Sequence, residues 1–261
     1  MELELRKQLE KEHADKLKAL LQQAPDQEKV APNKKFYSIT RGNINYIKRW
    51  LLDRIANDKK FLDYCCGEGD ISIFLAKNGA NVIGVDISDI SIKISKEEAL
   101  KEGLKDNPIF LVMDGENLQF HNNTFDFIFC GGVLHHLNIE KAYKELARVL
   151  KPDGEIICDE PLSYNPIFQL YRKLTPSLRT KWEMEHLLNK KSIKLAKEYF
   201  DGVEVRFYHL TTLLAVPFRR LSFFNKILSI FEAIDSFLLK LPGIKWLAWQ
   251  IVFILLKPKG K

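Results

Sequence analysis

The sequence contains little cysteine and no long apolar run. Its four cysteines include the adjacent pair Cys65 and Cys66, and none of their spacings fits a disulfide framework or a zinc site. The charged N-terminus lacks the apolar region of a signal peptide. The apolar segment Trp246–Leu256 has 11 residues, whereas a helix that crosses a bilayer needs about 20. We therefore expect a cytoplasmic protein that is neither held by disulfides nor embedded in a membrane.

The composition is that of a soluble globular chain, but its charge is unevenly distributed. With 261 residues, of which 46% are hydrophobic and 28% charged, the chain can form one domain with additions. From Ser163 onward, 17 Lys and Arg stand against 7 Asp and Glu, whereas the first 162 residues carry 23 against 27. This basic surplus suits an anionic substrate, a peripheral membrane contact, RNA or a solvated face, and composition leaves all four open.

The most informative segment is Phe61–Asp86, which predicts a buried strand, a glycine turn, a helix and a second strand that ends in an acid. Gly67 and Gly69 supply a tight turn and permit close backbone approach. The helix from about residue 70 to 78 directs its free N–H groups at whatever lies over the turn. Asp86 is placed to accept hydrogen bonds from two ribose hydroxyls. A dinucleotide or an adenosyl cofactor fits this pattern.

The spacing of the glycines distinguishes a dinucleotide site from an adenosyl site. The dinucleotide pattern Gly-x-Gly-x-x-Gly fails here, because a register that starts at Cys65 reaches Asp70 and one that starts at Gly67 reaches Ser72. Residues 63–69, Asp-Tyr-Cys-Cys-Gly-Glu-Gly, instead resemble motif I of the class I S-adenosylmethionine-dependent methyltransferases, Asp-x-Gly-Cys-Gly-x-Gly. Cys65 replaces the first glycine of that motif. This departure is expected to crowd the methionine end of the cofactor or to shift the turn.

Later segments resemble the same family in the same order. A short strand, residues 107–112, precedes Met113–Phe120, which resembles the family loop Asp-Ala-Glu-x-Leu-Pro-Phe. In the family, the acid and the amide after it read the adenine, and here these positions are Asp114 and Gly115. Residues 131–137 follow a fourth strand and resemble the Val-Leu-His-His signature that closes over the cofactor.

The next segments complete the core expected from this resemblance. A helix is predicted over residues 140–150 and a fifth strand over residues 155–159, with a turn at Lys151–Gly154 between them. The resemblance implies an α/β fold: a doubly wound, Rossmann-like, seven-stranded sheet with an antiparallel last strand, here Leu247–Leu256, plus a helical cap and inserts.

The domain boundaries follow from these segments. Residues 1–43 are expected to form an N-terminal helical cap, and residues 44–261 the methyltransferase domain, with inserts at about 161–200 and 217–245.

The cap begins with an amphipathic helix, Glu2–Leu21, followed by a predicted loop, Gln22–Lys35. Such N-terminal helices in the family usually cover the cofactor pocket. Tyr37 and Arg41 come next and are candidates for contact with the methionine end of the cofactor. A helix over residues 44–56 is predicted before the first core strand.

Two inserts stand out. Residues 161–200 leave the end of the fifth strand, where ligands of open α/β sheets bind, and are therefore the candidate for substrate recognition. Residues 202–210 alternate as a sixth strand. Residues 218–241 have a broad apolar face at helical spacing. This helix is expected to pack against the domain, although a lid over an apolar pocket or a position on a bilayer also fits.

The resemblance implies S-adenosylmethionine as the cofactor and supplies the candidate site residues. The catalytic candidates are His135 and His136, with Asp159 and Glu160 placed to orient one of them as a base. No metal ligands are expected. The cofactor-binding candidates are Asp63, Cys65, Gly67, Gly69, Asp86, Ile87, Asp114, Gly115, Cys130, Tyr37 and Arg41.

The predicted function is methyl transfer to a small molecule, with oxygen as the expected target atom and an apolar or glycosylated acceptor. Two alternatives remain at this point. An RNA methyltransferase would explain the basic surplus, although no dedicated nucleic-acid module is visible. A cofactor-binding regulatory subunit without activity would explain Cys65.

Overall fold

A computed structural model describes residues 2–23 and 32–259, and within them seven strands form one sheet in the order β3-β2-β1-β4-β5-β7-β6. β7 runs antiparallel to β5 and β6, and the other neighbouring strands are parallel. This topology confirms the fold expected from the sequence. The strands are β1 Lys60–Tyr64, β2 Asn81–Asp86, β3 Ile109–Val112, β4 Phe125–Gly131, β5 Leu150–Pro161, β6 Phe200–Tyr208 and β7 Gln250–Pro258.

Helices pack on the sheet, and further helices form the N-terminal segment and the inserts. Short 3-10 segments lie at Pro32–Ile39, Leu134–His136, Pro176–Leu178, Thr212–Phe218 and Ile244–Leu247. The α-helices are α1 Glu2–Gln23, α2 Arg41–Leu52, α3 Asp70–Lys77, α4 Asp89–Lys101, α5 Ile139–Val149, α6 Pro166–Leu174, α7 Lys181–Glu185, α8 Lys190–Tyr199 and α9 Phe224–Leu238.

The central parallel strands are buried because helices lie on both faces of the sheet. Leu62, Tyr64, Ile128 and Cys158 are fully buried within one continuous core cluster, as expected for strands without a solvent face. The strand order reverses direction between β1 and β4, and ligands of such sheets bind at this switch point beyond the carboxyl ends of the strands. The candidate residues at and after the carboxyl ends of β1, β2, β4 and β5 therefore lie on the same side of the sheet.

The predicted turn at Lys151–Gly154 is wrong, because these residues lie inside β5. Leu150 pairs with Phe125 and Glu155 with Phe127, so the intervening residues bulge out of the ladder without ending the strand. Gly154 allows the bulge to lie close to β4, since an added Cβ would approach the Asp126 carbonyl oxygen to 2.8 Å.

Several predicted boundaries also change. The loop predicted over Gln22–Lys35 is wrong at both ends, because α1 continues to Gln23 and the 3-10 helix Pro32–Ile39 begins before Lys35. Residues 24–31 of the predicted loop lie outside the described part of the chain. α2 begins at Arg41, before the predicted start at residue 44, and ends at Leu52. The last strand begins at Gln250 because Ile244–Leu247 forms a 3-10 turn first.

The helix predicted over residues 218–241 is shorter than expected, since Thr212–Phe218 is a 3-10 segment and α9 begins only at Phe224. One face of α9 packs against the domain as predicted: Leu228 is buried, with Phe224, Ile227 and Phe231 around it. The packing does not extend to the opposite face, where Ile230 and Phe237 are 62% and 67% exposed. None of the described helices has the length and apolar composition needed to cross a membrane.

Candidate active site

The turn between β1 and α3 has the backbone shape that the two glycines predict. Gly67 and Gly69 have φ angles of 55° and 83°, which side chains other than glycine rarely adopt. A Cβ on Gly69 would lie 2.8 Å from the Phe110 ring and from the Ser95 Cβ, so the turn could not pack there. A Cβ on Gly67 would meet only the Lys18 Nζ, at 3.9 Å. Open space therefore lies over the turn.

Asp86 closes one side of this space. Its Oδ2 accepts a hydrogen bond from the Gly67 N–H at 3.0 Å, and its Oδ1 accepts one from the Ser88 N–H at 2.9 Å. Each carboxylate oxygen keeps a further lone pair, so Asp86 can still accept from two hydroxyl groups. The free lone pairs of Asp86 and the space above Gly67 together fit the ribose of an adenosyl cofactor.

Asp63 and Cys65 support the turn from below. The Asp63 Oδ2 accepts from the Ser72 N–H at 3.0 Å and from the Ser72 hydroxyl at 2.7 Å, which ties α3 to β1. Burial raises the pKa of this carboxyl to about 7. Cys65 has a φ of 56°, and its Sγ faces Gly115, since a Cβ there would lie 3.1 Å from the sulfur.

We expect Cys65→Gly to preserve the fold and cofactor binding. Glycine removes the cost of a left-handed conformation, about 1 kcal/mol, against the loss of a small packed side chain. The free energy of unfolding should change by no more than about 1 kcal/mol, as measured by chemical denaturation. Calorimetry with S-adenosylhomocysteine would contradict this expectation if the affinity fell by more than about tenfold, or 1.4 kcal/mol.

Helix α1 directs basic side chains at the segments that follow β2 and β3. The Lys7 Nζ lies 2.6 Å from the Asp114 Oδ2, and Arg6 pairs with the buried Glu116. Asp114 also accepts the Glu116 N–H at 2.9 Å, which fixes the shape of its loop. A cleft of about 630 Å³ remains between α1 and the strand ends, and Leu5, Lys7, Ile87 and Asp114 are among its lining residues.

Sequence analysis predicted α1 as a cap but not these pairs. The signal was present, because Arg6, Lys7 and Lys11 are three basic residues within two turns. Their partners are Asp114 and Glu116 in the loop after β3 and Asp89 at the start of α4. Nothing in the sequence says which cation reaches which acid. That choice depends on the angle at which α1 crosses the sheet.

His135 and Glu160 form a buried pair at the carboxyl ends of β4 and β5. The Glu160 Oε1 accepts from the N–H groups of Val133 and Leu134, each at 2.7 Å. Its Oε2 lies 2.7 Å from the His135 Nδ1. An ionised carboxylate can only accept, so this geometry places a proton on Nδ1 and leaves the lone pair on Nε2. Within the described residues, the His135 Nε2 has no hydrogen-bond partner.

His136 contacts the cap. Its Nδ1 lies 2.8 Å from the Glu10 Oε2, and its backbone oxygen accepts from Arg6 at 2.6 Å. Burial lowers the pKa of His136, but the hydrogen bond to Glu10 and the charges of Glu183, Glu10 and Glu160 outweigh burial and raise that pKa. His136 is therefore suited to an ion pair, whereas His135 is suited to accept a proton.

Asp159 contacts neither histidine directly. Its Oδ2 accepts from the Asn43 Nδ2 at 3.0 Å, and the Asn43 Oδ1 lies 2.8 Å from the His209 Nε2. Burial raises the pKa of Asp159 to about 7, and the neighbouring Glu160 adds to this effect. Burial lowers the pKa of His209 to about 4. Sequence analysis missed this network because Asn43 and His209 belong to no recognised motif.

The remaining candidates divide between the pocket and other places. Tyr37 is 61% exposed, yet desolvation, Asp159 and Glu183 all raise its pKa. Tyr37 therefore lies near the Asp159 and Glu183 carboxylates. Arg41 turns to α9 instead, because its Nε donates to the Glu232 Oε1 at 2.7 Å. Cys130 is fully buried in the sheet.

No cluster of three or more metal-ligating side chains occurs among the described residues. Residues 62–158 match the family described as a methyltransferase domain. That range contains the glycine turn, Asp86, Asp114 and the His135 region, and it ends just before Asp159 and Glu160. The match therefore covers most of the site described above but not the cap or the inserts.

Three known proteins illustrate the likeness. The demethylmenaquinone methyltransferase of Lactiplantibacillus plantarum is 33% identical over 127 residues, which are 45% of this chain and 53% of the relative. The ubiquinone/menaquinone biosynthesis C-methyltransferase UbiE of Rickettsia felis is 37% identical over 119 residues, or 43% and 47% of the two chains. The chain thus spans about half the length of these curated relatives.

A solved structure extends the likeness in fold to the inserts. Phosphoethanolamine N-methyltransferase 2 of Haemonchus contortus, in complex with S-adenosyl-L-methionine, superposes with a TM-score of 0.59 at 18% identity. The likeness covers 93% of this chain and 60% of that one. At this identity the comparison shows a shared fold.

Proposed function

Because residues 62–158 are a methyltransferase domain of the class I, S-adenosylmethionine-dependent type, we propose that this chain methylates a small apolar acceptor whose nucleophile is deprotonated by His135. The observation that carries the proposal is the His135–Glu160 pair, with a 2.7 Å contact at the strand edge that also holds the glycine turn and Asp86. When bound, the cofactor supplies an electrophilic methyl group.

In this proposal the cofactor-binding residues hold different parts of one ligand. Gly67 and the first turn of α3 allow close approach, and Asp86 accepts from the ribose hydroxyls. Asp114 and the Gly115 backbone would hold the adenine, together with Ile87, which lines the same cleft as Asp114. Asp63 and Cys65 act indirectly, because their side chains shape the turn. Cys130 contributes packing below the site.

The acceptor is proposed to lie between the His135 region and the insert. The Trp182 ring stacks on His186, with centroids 3.6 Å apart and planes 4° from parallel. The Trp182 Nε1 and the Tyr171 hydroxyl are buried without a partner among the described residues. An acceptor oxygen that reached either donor would satisfy it, which favours an acceptor that carries oxygen atoms.

The proposed base serves either of two target atoms. Removing a proton from an acidic hydroxyl makes its oxygen a nucleophile, and in a phenol or hydroquinone it also raises the electron density of the conjugated ring carbon. Oxygen is the target favoured by the sequence, while one relative is named a C-methyltransferase and another a demethylmenaquinone methyltransferase. An apolar phenolic or quinol acceptor is compatible with both, and product analysis decides the atom.

Calorimetry tests the cofactor half of the proposal. We expect S-adenosylmethionine and S-adenosylhomocysteine to bind without competition from NAD. Asp86→Ala should weaken binding by about 1.5–3 kcal/mol, the usual scale for hydrogen bonds to a charged group. Tight NAD binding, or unchanged affinity in Asp86→Ala with the fold intact, would overturn the assigned cofactor site.

An acceptor screen tests the transfer half. The protein would be incubated with methyl-labelled cofactor and with phenols, quinols and an organic extract of cells, and labelled products would be identified by mass spectrometry. Labelling of a small apolar product supports the proposal. Cofactor binding with no labelled product from any acceptor would instead support the inactive regulatory subunit.

A further inference from the structure

We propose that the outer face of α9, together with the segment leading into it, binds the surface of an anionic lipid bilayer. The proposal concerns a different part of the molecule from the active site and does not depend on the identity of the methyl acceptor. It rests on exposed apolar side chains, on the charges between them and on a basic groove beside them.

The apolar side chains form a stripe on the solvent side of α9. Ile230, Ile234 and Phe237 follow one another at spacings of four and three residues, so they lie along one face of the helix. The opposite face, around Leu228, is already used for packing against the domain. Further exposed apolar side chains lie just before and after the helix: Phe218, Leu221, Phe223, Leu241 and Leu247. So many exposed apolar residues in one segment mark an interaction surface.

The charges on this surface have one sign. Lys226 lies one turn before Ile230, and Lys240 lies next to Leu241 after the end of the helix; both are exposed. The two acids of α9 are engaged within the protein, because Glu232 pairs with Arg41 and Asp235 is buried and accepts from the Thr211 and Thr212 N–H groups. The outer face of α9 thus combines apolar side chains with lysines and carries no carboxylate.

A groove beside α9 continues this positive charge. It has a volume of about 750 Å³ and lies between α2, β6 and α9. Its lining contains four basic side chains, Arg41, Arg206, Lys240 and Lys245, and two acids, Glu232 and Asp235, so the net charge is positive. Among the described residues, Arg206, Lys240 and Lys245 have no carboxylate partner. Arg206 and Lys245 lie over the rings of Tyr46 and Phe207, at 4.4 Å and 5.3 Å from the ring centroids. A lipid phosphate fits such a groove by charge.

The same charges argue against a second copy of this chain as the occupant. A two-fold interface places the same patch of each copy against the other. Lys226 and Lys240 would then lie near the lysines of the second copy, with no carboxylate on this face to neutralise them. An anionic bilayer supplies the missing negative charge and accepts the apolar stripe. Amphipathic helices with lysines around an apolar face lie in the plane of such membranes.

Co-sedimentation with vesicles tests the proposal. The intact protein would be mixed with vesicles of phosphatidylcholine alone and with vesicles of phosphatidylcholine and phosphatidylglycerol in equal parts. We expect binding to the anionic vesicles that weakens at high salt, and little binding to the neutral ones. Ile230→Glu with Phe237→Glu should abolish it, and Lys226→Ala with Lys240→Ala should weaken it by about tenfold or more. Neither pair should change the melting temperature by more than a few degrees.

A matched control is Leu100→Glu on α4, where the leucine is 59% exposed but far from α9 in the sequence; it should leave vesicle binding unchanged. Equal binding of the Ile230→Glu, Phe237→Glu double variant and the wild type would overturn the proposal, as would equal binding to neutral and anionic vesicles. If the wild type does not bind vesicles but sediments as a dimer, and the Ile230→Glu, Phe237→Glu double variant sediments as a monomer, a second copy of this chain occupies this face and the proposal is overturned.

Discussion

Glu160→Gln is expected to lower kcat by about 10²–10⁴-fold, the range of a lost general base, with little change in cofactor affinity. Glutamine has the same shape, so its oxygen can still accept from the N–H groups of Val133 and Leu134. Its NH₂ group then faces the His135 Nδ1 and donates to it. This moves the ring proton to Nε2 and removes the lone pair on which the proposed base depends. Steady-state kinetics on the acceptor found by screening would measure the loss.

His135→Asn provides the matching test. If the histidine and the carboxylate act as one unit, the single variants and the double variant should all lose a similar factor, because their effects are not additive. His136→Asn should cost less, since His136 is paired with Glu10 of the cap. Glu160→Gln with more than about one third of wild-type kcat would refute the role of the pair, as would a larger loss in His136→Asn than in His135→Asn.

Phe231→Glu should lower the free energy of unfolding by several kcal/mol. Phe231 packs against the cluster that contains Leu228, Phe168 and Trp249, and its backbone oxygen accepts from the Thr211 hydroxyl at 3.2 Å. A carboxylate placed there loses its hydration without gaining a partner. Chemical denaturation followed by circular dichroism would measure the change, and Phe224→Glu should behave similarly.

Phe237→Glu on the same helix is the control for Phe231→Glu. Because Phe237 is 67% exposed, its substitution should change the free energy of unfolding by no more than about 0.5 kcal/mol. The same chemical change on one helix should thus have opposite consequences on its two faces. Equal stability of Phe231→Glu and the wild type would mean that α9 is not packed as the structure shows it.

The parts of the fold that follow from local chemistry could be predicted from the sequence. Gly67 and Gly69 predict the β1–α3 turn because few other residues adopt its backbone angles. The position of Asp86 at the carboxyl end of β2 follows from the length of that strand. The prediction of a turn at Lys151–Gly154 is wrong because a contact between distant segments overrides the local preference. These residues favour a turn in isolation, but the pairing of Leu150 and Glu155 with β4 keeps both sides in one strand.

Contacts between distant segments were less accessible to sequence analysis. The sequence brought two histidines and two acids to neighbouring strand ends but could not pair them, because one residue of register decides whether Glu160 or Asp159 faces His135. The hydrophobic pattern of α9 likewise showed a wide apolar face. It could not show that only one side of this face would meet Phe36, Phe168 and Trp249, since those residues come from three other segments.

Helix α1 contacts several separate segments of the molecule. Lys7 and Arg6 reach the loop after β3, Asp15 contacts Ser88 after β2, and Glu10 joins His136 to Thr180 of the insert. The ion pairs among these contacts involve partly exposed charges, and dissolved ions weaken such pairs. We therefore expect the ionic strength of the surroundings to change how firmly α1 is held over the loops after β2 and β3, and through Glu10 how firmly it is held to the insert.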